Sequence, residues 1–130
     1  KRVAVAGGFG QGGGQRPTET LVSLYDGADQ LSMSVYDMDG NLVFRQNVGD
    51  LEPGEHRFAW SGQDMDGNQM PVDRYQVTAS ALTDGSVQVA PVSILETVSS
   101  VSWNPAIQQL DLQLLGGDTV SLAEIQTIAE

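Results

Sequence analysis

From Glu19 to Ala90 apolar and polar side chains alternate in short runs, and each run stops at Gly, Asp, Asn or Pro. A helix has no use for a period of two, whereas a strand packed on one face requires it. Leu31, Met33 and Val35 alternate with Ser32, Ser34 and Tyr36, so one face is apolar and the other largely polar. Asp39-Gly40 then separates this strand from Leu42-Val43-Phe44, a pair that predicts a type I′ hairpin with φ > 0 at both central residues. Beyond Pro53-Gly54, His56, Phe58 and Trp60 share one face and Arg57 and Ala59 the other, with Trp60 as the expected core anchor. A turn-rich stretch from Ser61 to Asn68 leads through Pro71 to Tyr75, Val77, Ala79 and Ala81, and Asp84-Gly85 turns the chain into Val87 and Val89. Six or seven short strands at this spacing predict a small sandwich of immunoglobulin or fibronectin type III character.

The texture changes after Pro91. Val92 and Ile94, then Val98, Val101 and Trp103, then Leu110, Leu112 and Leu114, then Val120-Ser121-Leu122 read as three or four further strands, with a tight turn at Gly116-Gly117-Asp118. Ile125 and Ile128 stand three apart within Ala123 to Glu130, which predicts a single helical turn closing one mouth of a small barrel. Roughly 40 residues make a weak core alone, so this tail is expected to recruit the strand Val3 to Ala6 from the other end of the chain. Between that strand and Pro17, Gly7 to Gly14 hold so much glycine that a linker is expected there. The expected architecture is all-β, with residues 19–90 forming a fibronectin type III or Ig-like sandwich inserted into a small Tudor-like (SH3-like) barrel built from residues 1–18 and 91–130.

Composition narrows the function. Seventeen acidic against six basic residues give a formal charge of −11, which repels a phosphate backbone and argues against nucleic acid as a partner. The same charge keeps a β-rich surface soluble and discourages uncontrolled edge pairing. No apolar run approaches the roughly 20 residues of a membrane helix, so no membrane role is expected. The sequence starts at Lys1 with no charged-then-apolar leader, and any N-terminal address is expected to have been removed or to lie outside it. The absence of cysteine excludes disulfides, thiolate metal sites and Cys nucleophiles.

The residues that could carry chemistry are few. Asp-Met-Asp-Gly-Asn occurs at Asp37 to Asn41 and again at Asp64 to Asn68, and paired acids in a loop suggest calcium. The spacing does not fit an EF-hand: Gly falls at the fourth position, and the twelfth, where a bidentate Glu belongs, is Val48 in one copy and Tyr75 in the other. Turn chemistry is the expectation. Gly7 to Gly14 lack the Gly-Lys-Ser/Thr of a phosphate loop. His56 is the sole histidine and lies alongside Phe58 and Trp60, so neither a zinc site nor a Ser-His-Asp triad is expected of it. Asp64 and Asp66 give no reason for one carboxyl to differ from the other, as glycoside cleavage demands. Trp103 and Tyr25 could serve a sugar-stacking face, but core packing is expected of both. No catalytic, cofactor-binding or metal-binding residue emerges, and a non-enzymatic chain is expected.

Val35-Tyr36-Asp37-Met38-Asp39-Gly40-Asn41-Leu42-Val43 resembles the hydrophobic-x-Asp-x-x-Gly-x-x-Val hairpin of the bacterial flagellar hook-capping family. Gly54, His56, Phe58 and Trp60, followed by Gly62, Asp64 and Gly67, resemble that family's Gly-x-His-x-Phe-x-Trp-x-Gly-x-Asp-x-x-Gly stretch. Pro71 and Tyr75 fit its Pro-x-Gly-x-Tyr strand start, with Asp73 where the family has Gly. Val98 to Val101, Leu110-x-Leu112-x-Leu114 and Val120 to Ile125 are similar to its Tudor-like part. The resemblance covers Leu31 to Ile128 and implies a scaffold at the extracellular tip of the growing hook after flagellar export. It implies hook protein as a partner and self-association into a cap. The alternative is an Ig-like binding module of a secreted bacterial enzyme or adhesin.

Overall fold

The computed structural model describes residues 2–115, 119–121 and 125–129, and these contain twelve strands and no helix. In chain order they are β1 (Arg2–Ala6), β2 (Phe9–Gly12), β3 (Thr18–Leu24), β4 (Ala28–Tyr36), β5 (Leu42–Leu51), β6 (Gly54–Trp60), β7 (Asp73–Thr83), β8 (Ser86–Ala90), β9 (Val92–Asn104), β10 (Gln109–Leu114), β11 (Thr119–Ser121) and β12 (Ile125–Ala129). One sheet runs β2-β7-β4-β5, with β8 also paired to β7. The other runs β11-β10-β9-β1-β12, and β9 also pairs with β3, which pairs with β6. The fold class is all-β, as the alternation requires.

The central ladder shows how alternation becomes packing. Leu31 lies opposite Ala81, Met33 opposite Ala79 and Val35 opposite Val77, so the two largest side chains of β4 each have an alanine beside them on the inner face. All six are buried, and burying a side chain such as Leu31 is worth about 1.5–3 kcal/mol. Trp60 closes the core from the opposite sheet. Its ring meets Tyr75 edge-on at 4.9 Å between centroids, and its indole N–H donates to the Gln63 carbonyl at 2.9 Å, so the polar atom is satisfied. The Tyr75 hydroxyl, near the start of β7, donates to the Pro71 carbonyl at 2.6 Å. That backward bond resembles the tyrosine corner of immunoglobulin-type sandwiches.

A separate apolar cluster joins Val3 and Val5 of β1 to Leu112 and Leu114 of β10 and Val120 of β11. β1 lies between β9 and β12, so the strand expected to be recruited from the far end is there. Ala4, Leu21 and Leu95 form a small third cluster.

Four expectations need correction. Gly7 to Gly14 are no linker: Phe9 to Gly12 form β2, paired with Gln76 to Asp73 of β7. A Cβ on Gly12 would lie 2.8 Å from Thr18 Oγ1 and 3.0 Å from the Trp60 ring, and one on Gly10 would lie 3.1 Å from Ile94. The glycines let a backbone lie directly against the core. The helical turn over Ala123 to Glu130 is replaced by β12, whose Ile125 to Ala129 pair with β1; Ala123, Glu124 and Glu130 lie outside the described residues, as does the predicted turn at Gly116 to Asp118. The Asp39-Gly40 turn is not type I′, because only Gly40 has positive φ, at 84°. Its N–H donates to the Asp37 carbonyl at 3.1 Å, a type I turn that ends on a left-handed glycine. Positive φ at both central residues occurs instead at Asp84 (51°) and Gly85 (79°). Finally, Val92 to Asn104 form one long strand rather than two, bonded first to β3 and β1 and then to β10.

Candidate interaction surface

The two repeated acidic loops bond to themselves. Asp37 Oδ1 accepts the backbone N–H groups of Asp39 at 3.0 Å and Asn41 at 2.9 Å, and the Asn41 amide donates to Asp37 Oδ2. Asp64 repeats the pattern with Asp66 and Asn68, each at 2.9 Å. The Asn41 backbone N–H first, then its side-chain amide and the Asp39 N–H, hold the Asp37 carboxyl below its ordinary value of 3.8; the Asn68 N–H first, then the Asp66 N–H and the Asn68 amide, do the same for Asp64. Each loop is thus a self-bonded Asx turn. The second docks on β5, where the Arg45 N–H meets Met65 Sδ at 3.2 Å. Among the described residues no group of three or more His, Asp or Glu is arranged to hold a metal ion.

His56 places Nε2 at 2.6 Å from the Glu52 carbonyl oxygen. A carbonyl only accepts, so Nε2 carries the proton and is committed to the backbone rather than to a nucleophile.

The two aromatics expected in the core are outside it. Tyr25 is 95% exposed in the β3–β4 turn and Trp103 is 58% exposed on β9. The aromatic places on the inner face of the larger sandwich are taken by Trp60 and Tyr75, while Tyr25 sits in a turn and Trp103 on the part of β9 paired with β10. Trp103 pairs with Leu110, and Val101 with Leu112; directly opposed residues share a face. Leu112 is buried, whereas Val101, Trp103 and Leu110 are exposed, as is Ile107 at the tip. The apolar face of the smaller cluster therefore runs on, uncovered, along the β9–β10 hairpin. Periodicity alone does not separate a covered from an uncovered apolar face. A usable signal was present in charge: Thr97 to Leu110 hold no Asp, Glu, Lys or Arg in a chain of net charge −11. No helix among the described residues is long and apolar enough to cross a membrane.

Residues 9–85 match the sequence profile described as the FlgD Ig-like domain. The basal-body rod modification protein FlgD of Salmonella typhimurium is 31% identical over 107 residues, covering 82% of this chain and 45% of that protein. The chain thus spans about half the length of the curated relatives it matches. Crystal structures are also similar. FlgD from Xanthomonas campestris, reported with insights into the hook capping essential for flagellar assembly, is 25% identical with a TM-score of 0.87 over 98% of this chain and 91% of that one. FlgD from P. aeruginosa is 27% identical with a TM-score of 0.83 over 99% and 96%. With more than half of its length matched by one family profile, the chain belongs to the FlgD Ig-like domain family.

Proposed function

We propose that this chain is the structured body of a non-enzymatic hook-cap scaffold, acting at the distal end of the growing flagellar hook, where hook subunits polymerise beneath it. Membership of the FlgD family and the likeness to a hook-capping structure support this reading. The observation that carries it is the uncovered apolar face of Val101, Trp103 and Leu110, with Ile107 exposed in the adjoining turn, on an otherwise strongly acidic body. Contiguous exposed apolar surface marks an interaction site. The uncharged stretch Thr97 to Leu110 is also where copies of a −11 chain can meet with the least charge repulsion. Hook protein and further copies of the same chain are the partners this reading assigns.

The proposal includes two domains, an Ig-like or fibronectin type III sandwich over residues 19–90 and a Tudor-like barrel from residues 1–18 and 91–130. Two distinct apolar clusters support the division. β2 is shared between them: it precedes residue 19 yet bonds to β7 and falls within the Ig-like match.

Sedimentation over a wide concentration range, with purified hook protein as titrant, tests the reading on this chain and on one extended to the relatives' full length. Self-association and hook-protein binding are expected, both weakened by Trp103→Ser with Leu110→Ser. Absence of both interactions in the extended chain sinks it. A carbohydrate-binding module is the second reading, favoured only by the exposure of Trp103. Saturable quenching of Trp103 fluorescence by oligosaccharides would support it.

A further inference from the structure

β8 is bonded on one side only. It pairs with β7, from Thr83↔Ser86 to Ala79↔Ala90, and no strand among the described residues lies on its other side. The hairpin is closed by Thr83 and Ser86 around the two-residue turn Asp84-Gly85, so Ser86, Gln88 and Ala90 direct their hydrogen bonds to β7. The alternate residues Val87 and Val89 direct theirs outward. The next residue in that alternation confirms the direction, because the Pro91 carbonyl accepts the Ser23 N–H of β3 at 3.1 Å. β3 ends one residue later at Leu24, and its departure leaves Val87 and Val89 facing a gap.

That gap is an open cleft of about 680 Å³ between the end of β3 and β8, lined by Leu24, Tyr25, Gly54, Ala81 and Gln88 among others. Its two ends are tied. Ser23 holds Pro91 at one end. At the other, Asp29 Oδ2 accepts the Asp84 N–H at 3.2 Å and the Thr83 hydroxyl donates to the Gly27 carbonyl at 3.3 Å. The slot is therefore pre-formed where a further strand would lie.

Soluble proteins guard an exposed edge with lysine, proline within the strand, a bulge or a covering loop. Ser86 to Val89 have none of these, and Val87 and Val89 are 68% and 83% exposed. The rim is acidic: Asp26 and Asp84 line the cleft, Asp29 braces it, and Glu55 lies opposite Ser23. Residues 17–44, 46–56 and 75–130 contain no lysine or arginine, so the cleft has no cation of its own at its walls.

We propose that β8 is an acceptor edge to which an extended, lysine- or arginine-bearing segment of a partner protein adds as a further strand. Main-chain bonds at Val87 and Val89 supply the register, the valines and Tyr25 an apolar contact, and the carboxylate rim the selectivity for positive charge. This goes beyond the cap reading and does not use the β9–β10 hairpin.

The test uses the 130-residue chain and three short acetylated peptides: one alternating lysine with threonine and valine, its glutamate counterpart, and the lysine peptide with a central proline. Amide NMR titration should move the signals of Ser86 to Ala90 with the lysine peptide only, and the shift should shrink in ~1 M salt, where the screening length falls to about 3 Å. Val89→Pro removes an outward N–H without touching the β7 ladder and should weaken binding about tenfold or more, with the melting curve little changed. Asp26→Asn with Asp84→Asn should weaken the lysine peptide and leave the β7–β8 turn formed, since Asn also accepts positive φ. Failure of the lysine peptide to bind, equal binding by the glutamate peptide, or indifference to Val89→Pro overturns the proposal. Self-association in peptide-free solution that Val89→Pro abolishes assigns the edge to a second copy and also overturns it. The hook-protein titration is independent of every one of these outcomes.

Discussion

The two main apolar clusters are built on different principles. The larger holds fifteen buried side chains, all between Val22 and Ile94, and includes the Trp60–Tyr75 pair. Its members lie in one continuous stretch of chain, although its central ladder joins β4 to β7 across β5 and β6. The smaller holds five aliphatic residues among those described, from Val3 to Val120, and closes only when β1 is brought between β9 and β12. A core confined to one stretch of chain closes without either terminus. A core whose halves are separated by the whole chain carries a larger closure entropy and leans on its neighbour.

The largest test of this contrast is truncation in each cluster. Leu31→Ala, at a fully buried site of the large core, should cost about 3–5 kcal/mol and lower the denaturation midpoint of the whole chain. Leu114→Ala should cost nearer 2 kcal/mol, at the lower end of the same range, and hydrogen exchange should rise in β10 to β12 while β4 and β7 stay protected. One shared transition with equal losses would make the clusters a single unit and end the contrast.

Next in size is Gly12→Ala. The new Cβ meets Thr18 and the Trp60 ring at 3.0 Å or less, and overpacking of this kind costs about 1–3 kcal/mol. Urea titration would read it, and a neutral result would mean that β2 is free to lift off the core.

Tyr75→Phe should cost about 1 kcal/mol by removing the bond to Pro71. Burial first, then the charges of Asp73 and Asp37, push the Tyr75 hydroxyl above its ordinary value of 10.0. A raised folded value means that its stabilisation is complete below pH 10 and is lost as pH rises through the higher folded value. Alkaline melts of wild type and Tyr75→Phe should therefore converge; curves that stay parallel would discard the corner bond as the cause.

The smallest effect belongs to the Asx turns. Asp37 and Asp64 are held below 3.8, so the folded chain binds fewer protons than the unfolded one near that pH. Their contribution is present above 3.8 and fades as pH falls through the lowered values. Asp37→Ala with Asp64→Ala should flatten the acid limb of the stability curve and leave its shape near neutrality unchanged. An unchanged acid limb would remove the turns from the account.

Much of the larger region was legible because its side chains alternate against one core. Leu31, Met33, Val35, Tyr75, Val77, Ala79 and Ala81 fall on the buried face that the alternation predicts. β2 was not legible, since its glycines answer to Trp60 and Ile94, contacts that no local pattern encodes. β9 was read as two strands because its buried face changes along its length: Val92 and Ile94 join the large core and Leu95 the seam with Ala4 and Leu21. Tyr25 and Trp103 were misplaced because aromatics in a chain with few of them invite a core reading. The bare edge of β8 could not be read in the sequence, because which strand ends a sheet is decided by pairing.

β9 is gripped along its length by β3, β1 and β10 in turn. A pull along its axis at the Trp103 end would load the bonds to these neighbours in shear, together rather than one at a time. The strand is built as a tie rod, and load applied at the exposed hairpin would pass along it to Val92 and Ile94 in the Trp60 core.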